Sequence, residues 1–507
     1  MMSKLSHRKD HRYVIKRIIV KGILILDTPT CLGVGDTDSP VDLPILRDSI
    51  EDKALLTGSS IAGALRNYLR EYNRGYNDYD RRTDLAALLF GDLFVYKDER
   101  DLTEKEKVRI KHDDTQSPLI INDALSDQVI KAELRDGVSI NGKTRTAKDD
   151  FKYDLEFLQA GTEFSLFFEL LIEEGKDETQ LKQGLAIALS GFEKGEIAIG
   201  MKKRRGFGRC KVDNWQVWEF DLKNTQQRLA WLTFDRDWAS EYAIPSDDKK
   251  ILGDTGDDQR DRFTITATFS LVGSMLIRSA EYSKDKRPDA VHLKSHRPNK
   301  EKPQEYISFP IISGTSLAGV LRHRAVRIIN TLEKDLKIVE DIFGTDISGN
   351  GNKDAKASKL IVHESEIKNN TELVQTRIAI DRFTGGAMHG ALFDAQPIFS
   401  GEVELKLELR NPQDYEIGLL LLLLKDLWTE DLPIGGESSI GRGRLKGKEA
   451  ILNSQSSTIQ QEWKIENGTE NSLIVKDLKD ENKTAVEVQA HLQKFVIKLT
   501  NHIHHQE

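Results

Sequence analysis

The densest cluster of chemically active side chains lies in one glycine-rich stretch, GMKKRRGFGRCKV, from Gly200 to Val212. Lys202, Lys203, Arg204, Arg205, Arg209 and Lys211 are all cationic, with no acid among them. Gly206 and Gly208 allow close backbone approach, and Phe207 offers a face for stacking. Such a set suits a polyanion carrying aromatic bases. A glycine turn with a solvated charge run has the same composition. RGFG also opens like the RRM signature, but Arg209-Cys210 follows where aromatic or apolar residues belong, which disfavours a standard RRM.

Helix starts are a second kind of anion site. GSSIAGALR (Gly58 to Arg66) returns as GTSLAGVLR (Gly314 to Arg322). Ile61, Leu65 and Leu69 share one helical face, as do Leu317, Leu321, Ala325 and Ile328. Ser59 or Ser60, and Thr315 or Ser316, are the expected N-caps. The open N–H groups of Gly58 and Gly314 would face a phosphate, with Arg66, Arg70, Arg322 and Arg324 close behind. A capped amphipathic helix with solvated arginines accounts for the same residues.

These pieces must be positioned by a duplicated framework. LLFGD (Leu88 to Asp92) pairs with DIFGT (Asp341 to Thr345). DGVSINGKTRTAKDDFKYDLEFLQAG (Asp136 to Gly161) pairs with the equally long TRIAIDRFTGGAMHGALFDAQPIFSG (Thr376 to Gly401). The glycine loop pairs with GGESSIGRGRLKG, which brings Arg442 and Arg444. All the pairs occur in one order, so the chain is read as a tandem duplication. Each half runs strand, capped helix, long irregular insertion, strand, second helix, glycine loop and last strand, close to a split βαβ plan. The expected division is 1–225 and 262–451 for the halves, 226–261 for a linker, and 452–507 for an extension without an assigned role. Trp215, Trp218, Trp231 and Trp238 are expected to pack a seam, and the HIHH end, His502 to His505, to be a disordered tip.

The totals fit this plan. A length of 507 residues exceeds one compact core, and 38% hydrophobic with 31% charged residues and a mean hydropathy of -0.48 describes a globular protein. The longest apolar run, Ile417 to Leu424, is too short to span a bilayer, and the charged stretch before the first strand is not expected to act as a secretory signal. Cys31 and Cys210 alone exclude a disulfide scaffold or four-cysteine zinc site, so a reducing, cytoplasmic setting is expected. The net charge of -8 argues against a protein basic all over, though not against a local basic groove.

Together the Gly-Ser helix start, the LFG segment, IAIDRFTGGAMHGALFDAQPIFSG and the glycine loop resemble the RAMP superfamily of CRISPR systems. More narrowly they resemble the backbone subunits of type III effector complexes, fused as a pair as in the III-D branch. The resemblance covers about residues 12–220 and 262–450. It implies two RRM-like (ferredoxin-like βαββαβ) α+β domains whose insertions act as thumbs along a guide RNA. Arg382 and Phe383 fall in the most specific segment and join the expected RNA-binding set. The implied partners are CRISPR guide RNA, target RNA and other effector subunits, with no membrane.

The resemblance also implies a metal-dependent endoribonuclease acting on guide-paired target RNA. Its motif Asp-x-Pro-Val-x-Arg/Lys-Asp matches DLPILRD, with Gly58 ten positions beyond Asp48, and so transfers the catalytic role to Asp42. Cleavage through the RNA's own 2′-hydroxyl needs a base or metal beside it, and a carboxylate serves either purpose. Mg2+ at Asp42 is the implied cofactor, with Asp36 and Asp38 as helpers or alternates. The second half lacks this spacing. Asp289 is its best counterpart and Asp285 the next, with His292 and His296 as possible assistants. A non-catalytic RNA-binding filament subunit is the alternative. A guide-processing RAMP endoribonuclease ranks last, because no histidine lies near the first helix of the first half and His323 sits within a helix.

Overall fold

The computed structural model describes residues 13–34, 42–76, 84–91, 116–142, 144, 146–233, 243–244, 252–279, 288–299, 301–302, 305–345, 355–456, 459–468 and 472–502. Asp36, Asp38, Asp285, Trp238, His504 and His505 lie outside the described residues.

In the first half, β1 (Val14–Leu26) alternates so that Ile18, Val20, Leu24 and Leu26 enter the main core. Ile19 points the other way, to Trp218 and Phe220. There follow β2 (Lys53–Leu56), α1 (Gly58–Arg74), α2 (Leu85–Phe90), β3 (Leu119–Ile121), β4 (Ala124–Val129), β5 (Ala132–Ile140), β6 (Ala147–Leu158), β7 (Glu163–Glu173), α3 (Glu178–Glu193), β8 (Cys210–Asp221), α4 (Thr225–Leu232) and β9 (Ala243–Ile244). The sheet order is β2-β4-β7-β1-β8-β9, with β3 also on β7.

The second half begins with β10 (Arg262–Val272), β11 (Ser274–Met275), β12 (Ala290–Val291), β13 (Lys294–Pro298), β14 (Tyr306–Ile312), α5 (Gly314–Thr331) and α6 (Lys337–Phe343). It continues with β15 (Leu360–Val362), β16 (Ser365–Lys368), β17 (Thr371–Glu372), β18 (Gln375–Ile380), β19 (Ala387–Gln396), β20 (Ile398–Phe399), β21 (Glu402–Arg410), α7 (Asp414–Trp428) and β22 (Arg444–Gln455). Then come β23 (Gln460–Asn467), β24 (Leu473–Asp477) and α8 (Ala485–Asn501). Its sheet runs β13-β14-β16-β21-β10-β22-β23-β24. Thus β4-β7-β1-β8 and β16-β21-β10-β22 are matching central orders in a mixed α+β, mostly antiparallel structure.

Three segments differ from their sequence reading. Each irregular insertion contains an antiparallel hairpin, β5–β6 or β18–β19. The acidic stretch before the second half is strapped down: Leu252 enters the first core, and buried Arg260 bonds Glu196 and Asp258 beneath Tyr68. The C-terminal extension belongs to the second core, where Trp463 is buried and Gly418 of α7 lies against the Phe495 carbonyl of α8. Among the described residues no helix is long and apolar enough to cross a membrane.

Candidate nucleic-acid interface and acidic site

The helix starts are capped one residue earlier than expected. Thr57 and Ser313, not the following serines, are the N-caps, accepting from Ser60 N at 3.3 Å and Ser316 N at 3.2 Å. Ser59, Ser60, Thr315 and Ser316 lie in the first turn, their hydroxyls tied to those caps. Gly58 and Gly314 are required by packing. A Cβ on Gly58 would lie 2.4 Å from the Ile121 carbonyl, and one on Gly314 2.5 Å from that of Val362. The arginines behind are mostly engaged. Arg66 donates to the Phe90 carbonyl, Arg70 forms a buried pair with Asp84, and Arg324 bonds Asp426.

The two glycine loops have one backbone form. Lys202 and Glu437 are left-handed at φ 53° and 58°, and short 3-10 turns follow, Lys203–Arg205 and Ser438–Ile440. Gly206 and Gly441 close them at φ 84° and 88°. A Cβ on Gly208 would lie 1.8 Å from the Ile199 carbonyl, so this position excludes every other residue without rearrangement.

Side chains do not repeat in the same way. Phe207 is buried and stacks on Phe157 with ring centres 4.5 Å apart, so the expected base-stacking face is used internally. Arg442 occupies the matching place, buried and bonded to Gln375. Arg444 is exposed on the edge of β22. Phe383 is the most exposed aromatic among the described residues, 86% accessible at the tip of β18–β19, with the Arg382 guanidinium 5.1 Å over its ring. Lys202 lies over Tyr153.

Lys203, Arg204 and Arg205 make no salt bridge among the described residues. Burial, followed by neighbouring cations, pushes all their charged forms down: Arg204 beside Lys203, Arg410 beside Arg204, and Arg322 beside Arg205. This run is therefore a partly desolvated positive cluster, with Glu71 near Lys203 and Arg204 opposing the shift without forming a salt bridge to either. Lys211 is different, held by Asp213.

The first loop sits on the second half. The Arg205 carbonyl would be 2.1 Å from a Cβ on Gly314, and the Glu364 amide 2.5 Å from one on Gly206. Arg209 donates to Nδ1 of His363, which is half-buried and held down to about 4 by desolvation and then by Arg209 itself. Beside it Arg135 of β5 is buried between Glu133 and Glu364, at 3.1 Å from the latter, and His296 lies 3.7 Å from Glu133. Arg135 and Glu364 are 229 residues apart, so no local pattern reveals this pair.

The acidic candidates converge. Asp42 accepts from the Asp154 amide at 2.8 Å, and Asp289 accepts from the Asp394 amide at 2.8 Å. Asp154 and Asp394 hold the same place in the matched insertions, each facing its hairpin partner, Asp136 or Thr376. Leu43–Leu155 and Ala290–Ala395 are matching parallel bridges. Counting back from Gly314 misses Asp289 because the β13–β14 hairpin intervenes. Asp154 is shifted up by its bond to Asp136, then by burial, Asp136's charge and Asp42. Asp394 has only Thr376 across from it. Among the described residues, no three His, Cys, Asp or Glu form a ready metal site.

His292 does not assist this acidic site. It occupies the place of core residue Ile45 in the first half, buried, with Nε2–H donating to the Ile311 carbonyl at 3.0 Å and Nδ1 accepting from the Ile277 amide at 3.2 Å. Burial holds it down to about 4. Below the ordinary value of 6.5 the unfolded chain binds protons that folded His292 and His363 refuse, so stability present above 6.5 is lost as pH falls towards 4. His292→Ile is expected to make the acid-side fall of Tm shallower in scanning calorimetry. An unchanged slope would assign that fall to other groups.

The remaining residues are structural. His323 lies 3.2 Å from where a Gly142 Cβ would be, beneath the β5–β6 tip. Trp215 and Trp218 are buried, and Trp231 lies beneath Arg17. His502 stacks on Tyr415 at 3.9 Å, so the described start of the histidine run is packed.

No curated protein matches the chain. A family model described as the RAMP superfamily matches residues 24–211 and 268–446, which contain both helix starts, both insertions and both glycine loops. The chain belongs to the RAMP superfamily and carries that family's pattern in each half.

Proposed function

We propose that the chain is a guide-RNA-binding backbone subunit of a type III CRISPR ribonucleoprotein, with two RRM-like domains, and that it cleaves target RNA paired to the guide. The observation that carries RNA binding is the Lys203-Arg204-Arg205 run, three adjacent cations that make no salt bridge among the described residues and whose charged forms burial disfavours. RNA phosphates supply that anion, while Phe383 and Arg382 at the exposed hairpin tip offer stacking and charge. The superfamily includes ribonucleases, which makes the paired aspartates candidates for chemistry rather than for solvation alone.

In this reading an unstacked target nucleotide presents its 2′-hydroxyl to Asp42 or Asp289. The carboxylate takes the hydroxyl proton, the 2′-oxygen bonds to phosphorus, and the bond to the 5′-oxygen breaks in line, leaving a 2′,3′-cyclic phosphate. The departing oxygen takes a proton from water or, in the first half, from the raised Asp154 carboxyl. Asp42 supplies one hard oxygen donor for Mg2+, which takes one or two carboxylates and fills its shell with water and phosphate. When bound there, such an ion would polarise the phosphate.

Binding is tested by titrating labelled single-stranded RNA with the purified chain at rising salt. Affinity should fall linearly on logarithmic axes, and Arg204→Glu with Arg205→Glu should flatten that slope. Salt-independent binding, or a slope unchanged in the variant, would displace the interface from this loop.

A further inference from the structure

In both halves an ion pair ties the aspartate-bearing segment to its hairpin, but the two ties are built from different residues. In the first half one carboxylate oxygen of Glu156, on β6, accepts from the Ile45 amide at 2.9 Å. The other accepts from the Arg47 guanidinium at 2.7 Å. Arg47 also reaches Asp52 at 3.2 Å. Asp42 itself accepts from the Asp154 amide at the other end of the same short segment.

The second half has other side chains at these places. Asp154 and Asp394 face Asp136 and Thr376, so Glu156 corresponds in register to Gln396. Arg47 corresponds to Lys294, each five residues after its aspartate. Gln396 is neutral and offers Lys294 no counter-charge. Its amide nitrogen donates instead to Glu372 of β17 at 2.7 Å, and Glu372 accepts from Lys294 at 2.8 Å. The backbone tie persists, with the His292 amide donating to the Gln396 carbonyl at 3.1 Å. Glu372 faces Ile398 as Ala132 faces Leu158, so the first half has alanine where the second has its carboxylate.

The pair thus survives exchange of its cation, exchange of its acid and a change in the strand that carries the acid. Stability does not account for it. Arg47 and Lys294 are 36% and 28% exposed at the side chain, and pairs this open add little. Position does account for it. A general base must lie within hydrogen-bond reach of its proton, and an ångström of misplacement costs about 10²-fold in rate.

We propose that Glu156 and Glu372 are positioning residues, which hold the segments carrying Asp42 and Asp289 against their hairpins and keep each carboxylate aimed. The proposal rests on the reading that the two aspartates cut RNA.

One arm of the test needs no RNA. In hydrogen–deuterium exchange of the purified chain, Glu156→Ala should speed exchange in residues 43–47 and leave 290–294 unchanged, and Glu372→Ala should do the reverse. The other arm follows cleavage by the assembled complex at saturating target RNA. There Glu156→Ala should slow the products lost in Asp42→Ala about 10–100-fold. The half-saturating RNA concentration and the Asp289 products should not change. Glu372→Ala should slow only the Asp289 products. Glu156→Gln should also be slow, and adding Ala132→Glu, which supplies the second half's carboxylate at the matching place, should restore the rate. Unchanged exchange would overturn the tie itself. Faster exchange with full-speed cleavage, equal slowing of both product sets, a higher half-saturating concentration or no rescue by Ala132→Glu would overturn the positioning role. Intact products in Asp42→Ala would overturn the cleavage reading and the positioning role with it, while exchange alone still decides whether Glu156 holds the segment. Arg47→Gln, which removes the other partner, replaces Glu156→Ala if that variant alters the melting curve.

Discussion

With Asp42 replaced by alanine, the assembled complex is expected to lose one set of target-RNA products and to keep the set made at Asp289. Asp289→Ala should do the reverse. Each missing set should form about 10²–10⁴-fold more slowly, the range for removing a positioned acid–base group. The two carboxylates receive the same amide hydrogen bond from matching residues, so a shared role predicts paired losses. The pH profiles should differ. In the first half Asp136 raises Asp154, and its proton is available to higher pH than from an ordinary aspartate, whereas the second half has Thr376 opposite Asp394. Asp136→Thr should therefore make the Asp42 product respond to pH as the Asp289 product does. Gel-resolved fragments at several pH values provide the measurement. Full cleavage at every site in both alanine variants would leave the aspartates with a structural role and favour a non-catalytic filament subunit.

Arg135→Met should give the largest loss of stability, about 3–5 kcal/mol at neutral pH, because it removes one partner from a buried ion pair. Glu133 and Glu364, each 6% exposed at the side chain, would face one another without the cation. Burial already pushes Glu364 up, with Arg135 opposing it. Without Arg135 the carboxyl takes a proton more readily, so the deficit should shrink as pH falls. Guanidinium unfolding should show a reduced midpoint and separated transitions for the halves. A loss below about 1 kcal/mol, typical of exposed pairs, would mean that water reaches the seam.

Much of the framework was legible because its signals are local. Each half is expected to open on a strand and a capped helix, and β1 with α1 and β10 with α5 stand there. The expected apolar faces are buried, save that Ile329 rather than Ile328 ends the buried face of α5. The caps lay one residue outside the quoted repeat, at Thr57 and Ser313, where a hydroxyl three residues before Ser60 or Ser316 meets its amide. Asp289 could not be reached by counting, since residue number measures chain and the parallel β12–β19 pairing measures space. Phe207 was misread for a related reason. Loops have no periodicity that separates a buried ring from an exposed one, and only the position of Phe157 decides it. The Arg135–Glu364 pair depends on two halves meeting, which neither segment encodes alone.

The strap from Leu252 to Asp261 changes what the seam has to accomplish. It ties the first half's Tyr72 and Glu196 to the start of β10, so the first glycine loop meets α5 within one molecule. The encounter is governed by an effective concentration set by a short tether rather than by the amount of protein in the cell. An interface assembled this way can tolerate buried charge and a modest apolar area that two separate chains would have to offset with tighter packing. It also fixes the ratio of Asp42 to Asp289 at one to one in every particle, whatever the expression level.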